Sequence, residues 1–326
     1  MKNLLNILEK FSEKRIVVIG DVVLDRFICG SVCRSSPEAP VPVLKVEKEF
    51  SAPGGAGNTA RIVSGLGAQA VLIGRVGFDE AGRKTKKLLA KDRIDTANLI
   101  YSAQHRTIEK HRFIFKEHIL RADFGEKDIV EIDSDIEERF VNRLKSAIYD
   151  AGAIVVSDYE KGTITKSLAE QIVALSLEHE ILLIVDTKPE HMEWFRNAAW
   201  VKPNRVEAEA VWGSKIETLT DAWCAGSAVW KRTGGNVLLT LGCDGMYIFD
   251  QAFSVHIPSL PVNMVDVTGA GDTVAAAFTL ALSSGATAYE AARIANFAAA
   301  VVIKKPGTAI VSKEELKEII LRYDRK

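Results

Sequence analysis

The sequence predicts an α/β fold in which a doubly wound, mostly parallel central sheet carries helices on both faces, together with a small β-lid. Short apolar, β-branched runs recur along the chain and alternate with segments of helical periodicity. This alternation is typical of βαβ units and a parallel sheet. Two further segments alternate apolar with polar residues, which predicts antiparallel strands with one solvated face. These two segments form the predicted lid.

The strands of the central sheet are predicted from the apolar runs. The runs lie at 15–20, 70–74, 153–156, 181–185 and 237–240, and 246–249 is a candidate for a later strand. Helices are predicted where apolar residues recur on one face. They lie at 4–11, at 132–148 with an apolar residue every four positions, at 167–178 and at 274–282. Strands and helices therefore alternate through most of the chain.

The predicted lid consists of segments at roughly 27–50 and 105–124. Within them, residues 41–50 alternate apolar with polar side chains, and residues 107–123 do so more loosely and with many charges. No stretch rich in Pro, Gly or Ser divides the chain. Residues 1–326 are therefore expected to form one domain to which the lid is attached.

The bulk composition is that of an ordinary globular protein. The 326 residues are 47% hydrophobic and 26% charged, and the formal net charge of −1 gives no support to a nucleic-acid partner. Polar residues interrupt the apolar stretch at 274–303, and the first residues lack the apolar block of a signal peptide, so no membrane partner is expected. Four cysteines without a metal-ligand pattern predict free thiols and a cytoplasmic location. They are Cys29, Cys33, Cys224 and Cys243.

A glycine-rich turn at 266–273 is the most informative motif. Asp266 and Asp272 bracket it, and a long apolar helix pattern follows at once. Unpaired backbone N–H groups at a helix N-terminus bind anions such as phosphate. A carboxylate at that place can take a proton from a hydroxyl that attacks the phosphate. The alternative is an ordinary aspartate stabilised by the helix dipole, and the local string leaves both interpretations open.

Polar residues also follow several of the apolar runs. In doubly wound sheets, ligands bind beyond the carboxyl ends of the strands. Each residue alone is compatible with a capping or turn role, but their number at one edge predicts an active site. Asp21 follows the first run, with Asp25 expected one helical turn later. The others are Asp158, Tyr159, Lys161 and Gly162, then Asp186 and Lys188, then Gly242 and Gly245.

A second glycine cluster lies at 53–58. Gly55, Gly57 and Ala60 fit the dinucleotide fingerprint, and Asp79 lies about 20 residues further on. The preceding segment is charged and alternating, however, whereas the fingerprint requires a buried parallel strand. A backbone that approaches a polyhydroxylated ligand, with Asn58 donating hydrogen bonds, is the favoured interpretation. The chain lacks the phosphate-loop, protein-kinase, G-x-S-x-G and H-E-x-x-H motifs.

These motifs together resemble those of the ribokinase-like sugar kinases, the PfkB family, over nearly the whole chain. The matching strings are GD at 20–21, GGAGN at 54–58, VGFDEAG at 76–82, PNRVE at 203–207, TLGCDG at 240–245 and DVTGAGD at 266–272. Further strings at 34–42, 120–124, 157–162 and 306–309 look like the heptose 7-phosphate kinases of lipopolysaccharide-precursor synthesis. Thr187 and Ser35 depart from the family, which usually has Pro and Ile there. A nucleotidyltransferase domain, sometimes fused to such kinases, is not expected in this chain.

The resemblance implies an ATP-dependent carbohydrate kinase that uses Mg²⁺. Asp272 would be the general base, and the backbone N–H groups of Gly269, Ala270 and Gly271 would bind the γ-phosphoryl oxygens. Glu207 would position Mg²⁺ through water. ATP would contact Asp186, Lys188, Asn204, Thr240, Gly242, Gly245 and Asn296. Asp266 would help to bind a monovalent cation such as K⁺.

The resemblance also implies a sugar-phosphate substrate. The acceptor would be the anomeric hydroxyl of D-glycero-D-manno-heptose 7-phosphate, and the product a 1,7-bisphosphate. Substrate would contact Asp21, Gly54, Gly55, Asn58 and Asp158, with its phosphate on Arg34, Arg121 and Lys161. A homodimer is expected to form through the β-lid, as in many relatives.

Three alternatives to this function stay open at the sequence level. The first is a kinase of the same family for ribose, fructose or a nucleoside. The second is an NAD-dependent oxidoreductase that uses the fingerprint at 55–60. The third is a non-catalytic sugar-sensing module, which Asp272 and Glu207 disfavour because both carboxylates are intact.

Overall fold

The computed structural model describes residues 2–115 and 117–323. Its strands are β1 (Arg15–Ser35), β2 (Pro42–Gly55), β3 (Gln69–Gly77), β4 (Leu99–Ser102), β5 (Ile108–Phe115), β6 (Glu117–Phe124), β7 (Ala153–Ser157), β8 (Leu182–Asp186), β9 (Trp200–Val201), β10 (Asn236–Thr240), β11 (Met246–Phe249) and β12 (Ser254–Ile257). Its α-helices are α1 (Lys2–Glu9), α2 (Ala56–Gly65), α3 (Glu80–Lys91), α4 (Ser134–Ile148), α5 (Lys166–Glu178), α6 (Arg205–Trp212), α7 (Leu219–Thr233), α8 (Ala270–Ser283), α9 (Ala288–Val302) and α10 (Lys313–Tyr323).

The central sheet has the order β12-β11-β10-β9-β8-β7-β1-β3-β4. The strands from β10 to β4 run parallel, and β11 and β12 are antiparallel additions at one edge. Successive residues of β1 enter opposite cores: Val18 packs with residues of α2, α8 and α9, and Val17 packs with residues of α4 and α5. Helices therefore cover both faces of a mostly parallel sheet, which confirms the predicted fold class.

Strand β1 is much longer than predicted. It pairs with β3 and β7 up to Asp21, and from Val22 onward it pairs with β2 and then β5. Gly20 lies next to the point at which β1 changes partners. A Cβ at this position would lie 2.0 Å from the carbonyl oxygen of Ser157, so glycine is required there. The prediction that the strand ends at Gly20, with Asp25 one helical turn later, was wrong. Asp21 and Asp25 both lie inside one continuous strand.

The lid is a four-stranded sheet in the order β2-β1-β5-β6. Its β1–β2 and β5–β6 pairs are antiparallel, and its β1–β5 pair is parallel. The alternating segments at 41–50 and 107–123 thus form β2 and the β5–β6 pair. Of the predicted lid at 105–124, residue 116 lies outside the described residues, as do residues 1 and 324–326 of the predicted domain. The assignment of residues 1–326 to one domain stays a prediction.

No helix in the described ranges 2–115 and 117–323 is long and apolar enough to cross a membrane.

Candidate active site

A cleft of about 770 Å³ opens at the carboxyl ends of β8 to β10. The residues predicted to contact ATP converge on it, although they come from four separate segments. The predicted residues that line it are Asp186, Lys188, Asn204, Glu207, Thr240, Gly242, Gly245, Ala270, Gly271 and Asn296. Apolar side chains, among them Leu260, Val262 and Met264, line another part of the cleft. A polar end beside an apolar end suits a ligand that joins a phosphate chain to an aromatic base.

Asp272 lies at the start of α8 and is 5% exposed. Gly269 precedes the helix with a φ of +82°, a left-handed conformation that favours glycine. The amide of Asn58 donates a 2.7 Å hydrogen bond to Asp272 Oδ2, and the hydroxyl of Tyr159 donates a 2.6 Å bond to Oδ1. Burial raises the pKa of Asp272, and the bonds from Asn58 and Tyr159 oppose the rise. A buried carboxylate held in a fixed orientation is suited to accept a proton.

In the turn before α8, some of the backbone N–H groups already have a hydrogen-bond partner within the protein. The N–H of Ala270 donates to the carbonyl of Val267 at 3.1 Å, so this predicted phosphate ligand already has a partner. Asp266 closes the turn, since its Oδ1 accepts from the backbone N–H and the hydroxyl of Thr268. Its Oδ2 accepts from the N–H of Gly307. Asp266 therefore ties the turn to the segment at 306–309.

Lys202 is a site residue that the sequence reasoning missed. Its ammonium group forms a 2.9 Å ion pair with Asp186, and its side chain is only 3% exposed. The ammonium nitrogen also lies 3.7 Å from the position that a Cβ on Gly271 would occupy. A buried cation next to the start of α8 adds to the positive end of the helix dipole. Burial raises the pKa of Asp186, and the charge of Lys202 partly offsets the effect.

Asn204 and Glu207 form a capping box at the start of α6. The Asn204 side chain accepts from the Glu207 N–H at 2.9 Å, and Glu207 Oε2 accepts from the Asn204 N–H at 2.8 Å. Glu207 Oε1 accepts from Lys188 at 2.6 Å. Burial opposes the charged form of Lys188, but Glu207 outweighs it and the pKa of Lys188 is raised. The Asn-x-x-Glu pair thus has a structural role at the edge of the cleft.

The donor chemistry of the cleft fits Mg²⁺. The carboxylates of Asp186 and Glu207 both line it, and Mg²⁺ prefers hard oxygen ligands. Among the residues that the structure describes, no group of three or more His, Cys, Asp or Glu is arranged to hold a metal ion. Mg²⁺ commonly retains several waters and binds substrate phosphates through one or two protein carboxylates. These two carboxylates are therefore sufficient for that binding mode.

Asp21 and Asp158 organise the loop that follows β7. The buried Asp21 accepts hydrogen bonds from the backbone N–H groups of Tyr159, Lys161 and Thr163 at 2.8, 3.0 and 3.2 Å. Burial, and the nearby Asp158, raise the pKa of Asp21. Asp158 Oδ2 in turn contacts Thr187 and the ring Nδ1 of His191. In this structure both carboxylates hold the backbone of the site.

Gly54, Gly55 and Asn58 lie where the lid joins the central sheet. A Cβ on Gly54 would lie 2.4 Å from Asp25 Oδ2, and Gly55 precedes α2 with a φ of +58°. The strand that ends in these two glycines, β2, is antiparallel to β1, so it is not the buried parallel strand that a dinucleotide fingerprint requires. Asp79, the expected ribose ligand of that alternative, caps α3 through Gly82. The oxidoreductase alternative has no structural support.

Charged pairs occupy one face of the lid. Arg112 contacts Asp25 at 3.0 Å, and Arg121 contacts Asp123 at 2.9 Å. Lys161, from the loop after β7, contacts Glu126 at 2.6 Å. Arg34 lies near the end of β1 and is exposed. Of the three predicted phosphate ligands, Arg121 and Lys161 therefore belong to one charged region, while Arg34 lies at the far end of the lid.

The remaining predicted ATP contacts shape the edge of the cleft. The N–H of Thr240 donates to the carbonyl of Pro203, which joins β10 to the start of α6. A Cβ on Gly245 would lie 2.1 Å from the carbonyl oxygen of Ile257. Asn296, on α9, donates to the carbonyl of Pro258 at 2.8 Å. These residues fix the backbone on both sides of the apolar part of the cleft.

Comparison with known proteins agrees with this architecture. The chain matches the pfkB family carbohydrate kinase model over residues 13–315, so it belongs to this family and is an ATP-dependent carbohydrate kinase. It is 39% identical over 314 residues to the bifunctional protein HldE of Caulobacter sp. (strain K31), a match that covers 94% of this chain. The chain spans 62% of the length of that relative. The predicted family is thereby confirmed.

Solved structures show the same fold. A putative ribokinase from Agrobacterium tumefaciens superposes with a TM-score of 0.79 at 21% identity, covering 96% of this chain and 99% of the other. Phosphofructokinase-2 from Escherichia coli in complex with potassium gives a TM-score of 0.78 at 20% identity, again covering 96% and 99%. The fold is therefore ribokinase-like.

Five residues of the site gained their importance only from the structure. Tyr159 and Asp25 stood out in the sequence as strand-end residues without a role, and Lys202 could have been noticed because it follows a short apolar segment and directly precedes the Pro-Asn string. Lys110 lies with its ammonium group 5.6 Å from the ring centroid of Tyr159. No sequence signal distinguished Lys110 and Arg112 from the other charged residues of the lid.

Proposed function

We propose that this kinase transfers the γ-phosphoryl group of ATP to the anomeric C1 hydroxyl of D-glycero-D-manno-heptose 7-phosphate, which gives the 1,7-bisphosphate. Two findings support this acceptor. The strings at 34–42, 120–124, 157–162 and 306–309 resemble those of heptose 7-phosphate kinases. The chain is also similar over 94% of its length to proteins named HldE from Caulobacter and Azorhizobium.

A cluster of cations on the lid is the observation that supports a phosphorylated acceptor. Arg112 and Arg121 stand directly opposite each other in the β5–β6 pair, and like charges at such positions destabilise a sheet. Lys110 lies on the same face, with its ammonium group 5.6 Å from the ring centroid of Tyr159. A phosphate bound among these cations would remove the repulsion. Tyr159 connects this cluster to Asp272, because its ring contacts Lys110 and its hydroxyl donates to Asp272.

The protonation behaviour of Lys110 supports the same assignment. Burial lowers the pKa of the Lys110 ammonium group, and Lys161 and Arg121 lower it further, while Asp25 opposes them. Among the described residues, Lys110, Arg112, Arg121 and Lys161 face only the three carboxylates of Asp25, Asp123 and Glu126. The region therefore carries one excess positive charge, which favours binding of an anion. We therefore add Lys110 and Arg112 to Arg121 and Lys161 as the proposed ligands of the substrate phosphate, with Arg34 as an outer contact.

In the proposed reaction, Asp272 takes the proton of the acceptor hydroxyl as that oxygen attacks the γ-phosphorus. A bond forms between the acceptor oxygen and the γ-phosphorus. The bond from the γ-phosphorus to the β–γ bridging oxygen breaks, and its electron pair leaves with ADP. The start of α8, with the N–H groups of Gly269 and Gly271, and the ammonium group of Lys202 stabilise the developing negative charge. Asn58 keeps the carboxylate directed toward the acceptor.

Metal ions have defined places in this proposal. Glu207, with Asp186, would hold Mg²⁺ through water, and the ion would neutralise charge on the ATP phosphates. A monovalent cation, K⁺ in the first instance, is proposed beside Asp266, which orders the turn before α8. Escherichia coli phosphofructokinase-2, which has the same fold, has been solved with potassium.

The acceptor is tested by measuring ADP release with a panel of sugars. The panel contains heptose 7-phosphate, fructose 6-phosphate, ribose, fructose and a nucleoside, each with ATP and Mg²⁺ and with or without K⁺. The proposal predicts the highest kcat/KM for heptose 7-phosphate and transfer to C1, visible as a new phosphorus–carbon coupling in the NMR spectrum of the product. Preference for an unphosphorylated sugar or a nucleoside would contradict it.

A homodimer through the lid is part of the proposal. Several apolar side chains of the lid are exposed, among them Val46 at 54% and Leu120 at 58%. A second lid would cover such residues. Light scattering after gel filtration should give the mass of a dimer for the natural protein and that of a monomer for Leu120→Asp. A natural protein that elutes as a monomer at about 50 μM would contradict the dimer.

A further inference from the structure

Tyr159 contacts the proposed base, the lid and the nucleotide side of the cleft. Its hydroxyl donates to Asp272 Oδ1 at 2.6 Å. Two ammonium groups lie over its ring, that of Lys110 5.6 Å and that of Lys188 5.7 Å from its centroid. Its backbone N–H donates to Asp21 at 2.8 Å.

Each of these contacts leads to a different part of the site. Lys110 belongs to β5 of the lid. Lys188 follows β8 and pairs with Glu207 on α6. Asp21 lies in β1, the strand that runs from the central sheet into the lid. The position of the Tyr159 ring therefore depends on the lid, on the nucleotide side and on the central sheet together.

We propose that Tyr159 is a positioning residue: its hydroxyl holds the Asp272 carboxylate in the orientation required for proton removal, and its ring, in contact with Lys110 and Lys188, links that orientation to the position of the lid. The inference rests on the proposed role of Asp272 as the base. The phenol acts as a donor only, because burial and the charge of Asp272 raise the pKa of Tyr159 well above its ordinary value. Tyr159 thus stabilises the charged carboxylate and does not compete with it for the proton.

The variant Tyr159→Phe removes the hydroxyl and retains the ring. We expect kcat to fall roughly tenfold to a hundredfold, as is typical for the loss of a hydrogen bond to a charged group, with the KM for ATP unchanged. The acidic limb of the kcat/KM profile should move to higher pH, because a carboxylate that has lost a donor is protonated more readily. Tyr149→Phe, at an exposed tyrosine, is the matched control and should behave as the natural protein.

The ring is tested separately with Tyr159→Leu. Loss of the two cation–π contacts should raise the KM for the phosphorylated acceptor at least several-fold beyond any effect of Tyr159→Phe, because Lys110 then loses its support. Equal KM values in the Phe and Leu variants would overturn the link to the lid. Melting temperatures close to that of the natural protein separate this effect from a loss of folding.

A second readout does not depend on the acceptor. Carbon-13 labelling of the aspartate carboxyl groups, with Asp272→Asn for assignment, gives the titration of Asp272 by NMR. The Tyr159→Phe variant should titrate at higher pH than the natural protein. An unchanged titration of Asp272 would overturn the role of the hydroxyl, even if no sugar in the panel is accepted. A shifted titration with no sugar accepted would retain it and reject only the proposed acceptor.

Discussion

The side-chain amide of Asn58 lies 2.7 Å from Oδ2 of Asp272, which joins two glycine-rich segments that are 214 residues apart in the chain. Asn58 lies on α2, directly after the lid strand β2, and Asp272 lies on α8. Both side chains are buried. The bond therefore connects the segment proposed to bind the sugar with the carboxylate proposed to deprotonate it.

Replacement of Asn58 should impair the base without removing it. The hydrogen bond from Asn58 lowers the pKa of Asp272, against the effect of burial, so its loss in Asn58→Ala raises that pKa further. Asp272 must be ionised to accept a proton, and the acidic limb of kcat/KM should consequently move to higher pH. At neutral pH we expect kcat to fall roughly tenfold to a hundredfold. The exposed Asn142→Ala serves as the control, and identical pH profiles for both variants would refute the coupling.

Lys202 should contribute to the stability of the folded protein. Lys202→Met leaves the carboxylate of Asp186, whose side chain is 16% exposed, without its partner. Loss of one partner of a buried pair typically costs about 3–5 kcal/mol of unfolding free energy, and we expect a value at or below the lower end of that range. The double variant Lys202→Met, Asp186→Asn should recover part of that loss, because it removes the uncompensated charge. Urea unfolding measures the unfolding free energy of the single and the double variant, with the exposed Lys166→Met as control. If the double variant is no more stable than Lys202→Met alone, the ion pair is not the cause.

The pair of His191 and Asp158 should make stability depend on pH. Burial disfavours the charged form of His191, but the hydrogen bond and charge of Asp158 outweigh it and raise the pKa of His191. A raised pKa in the folded state means that the contribution is fully present below the unfolded value of about 6.5 and is lost as pH rises through the folded value. His191→Gln should thus lower the unfolding free energy by on the order of 1 kcal/mol more at about pH 6 than at about pH 9. The exposed His179→Gln serves as the control. If the unfolding free energy lost in His191→Gln were larger at the higher pH, the stabilising pairing of His191 with Asp158 would be contradicted.

The lid cations should act on the acceptor and not on ATP. Lys110→Met removes one cation from the cluster with Arg112 and Arg121. We expect the KM for a phosphorylated acceptor to rise on the order of tenfold, while the KM for ATP stays within about twofold, since only the acceptor phosphate loses a charge-assisted contact. The exposed Lys145→Met on α4 is the control. Steady-state kinetics at two salt concentrations would test the electrostatic origin, and equal effects on both substrates would argue against it.

The sequence predicted the central sheet and the two glycine segments, because these depend on local patterns. The β-branched runs and the turn residues are determined over fewer than about ten residues each. The extension of β1 beyond Gly20 could not be predicted in this way, because it depends on pairing with β2 and β5 and places Asp21 and Asp25 inside a strand. The partners of Lys202 and Tyr159 are likewise set by the tertiary fold.

The measurement that tests the proposed mechanism most directly compares turnover and ATP binding in Asp272→Asn. Asparagine preserves the size of the side chain but cannot accept the proton, so kcat should fall by roughly 10²–10⁴. The dissociation constant of ATP, measured by calorimetry, should stay within about threefold, because the carboxylate is proposed to face the acceptor and not the nucleotide. Near-natural turnover in a folded Asp272→Asn protein would contradict the assignment of Asp272 as the base.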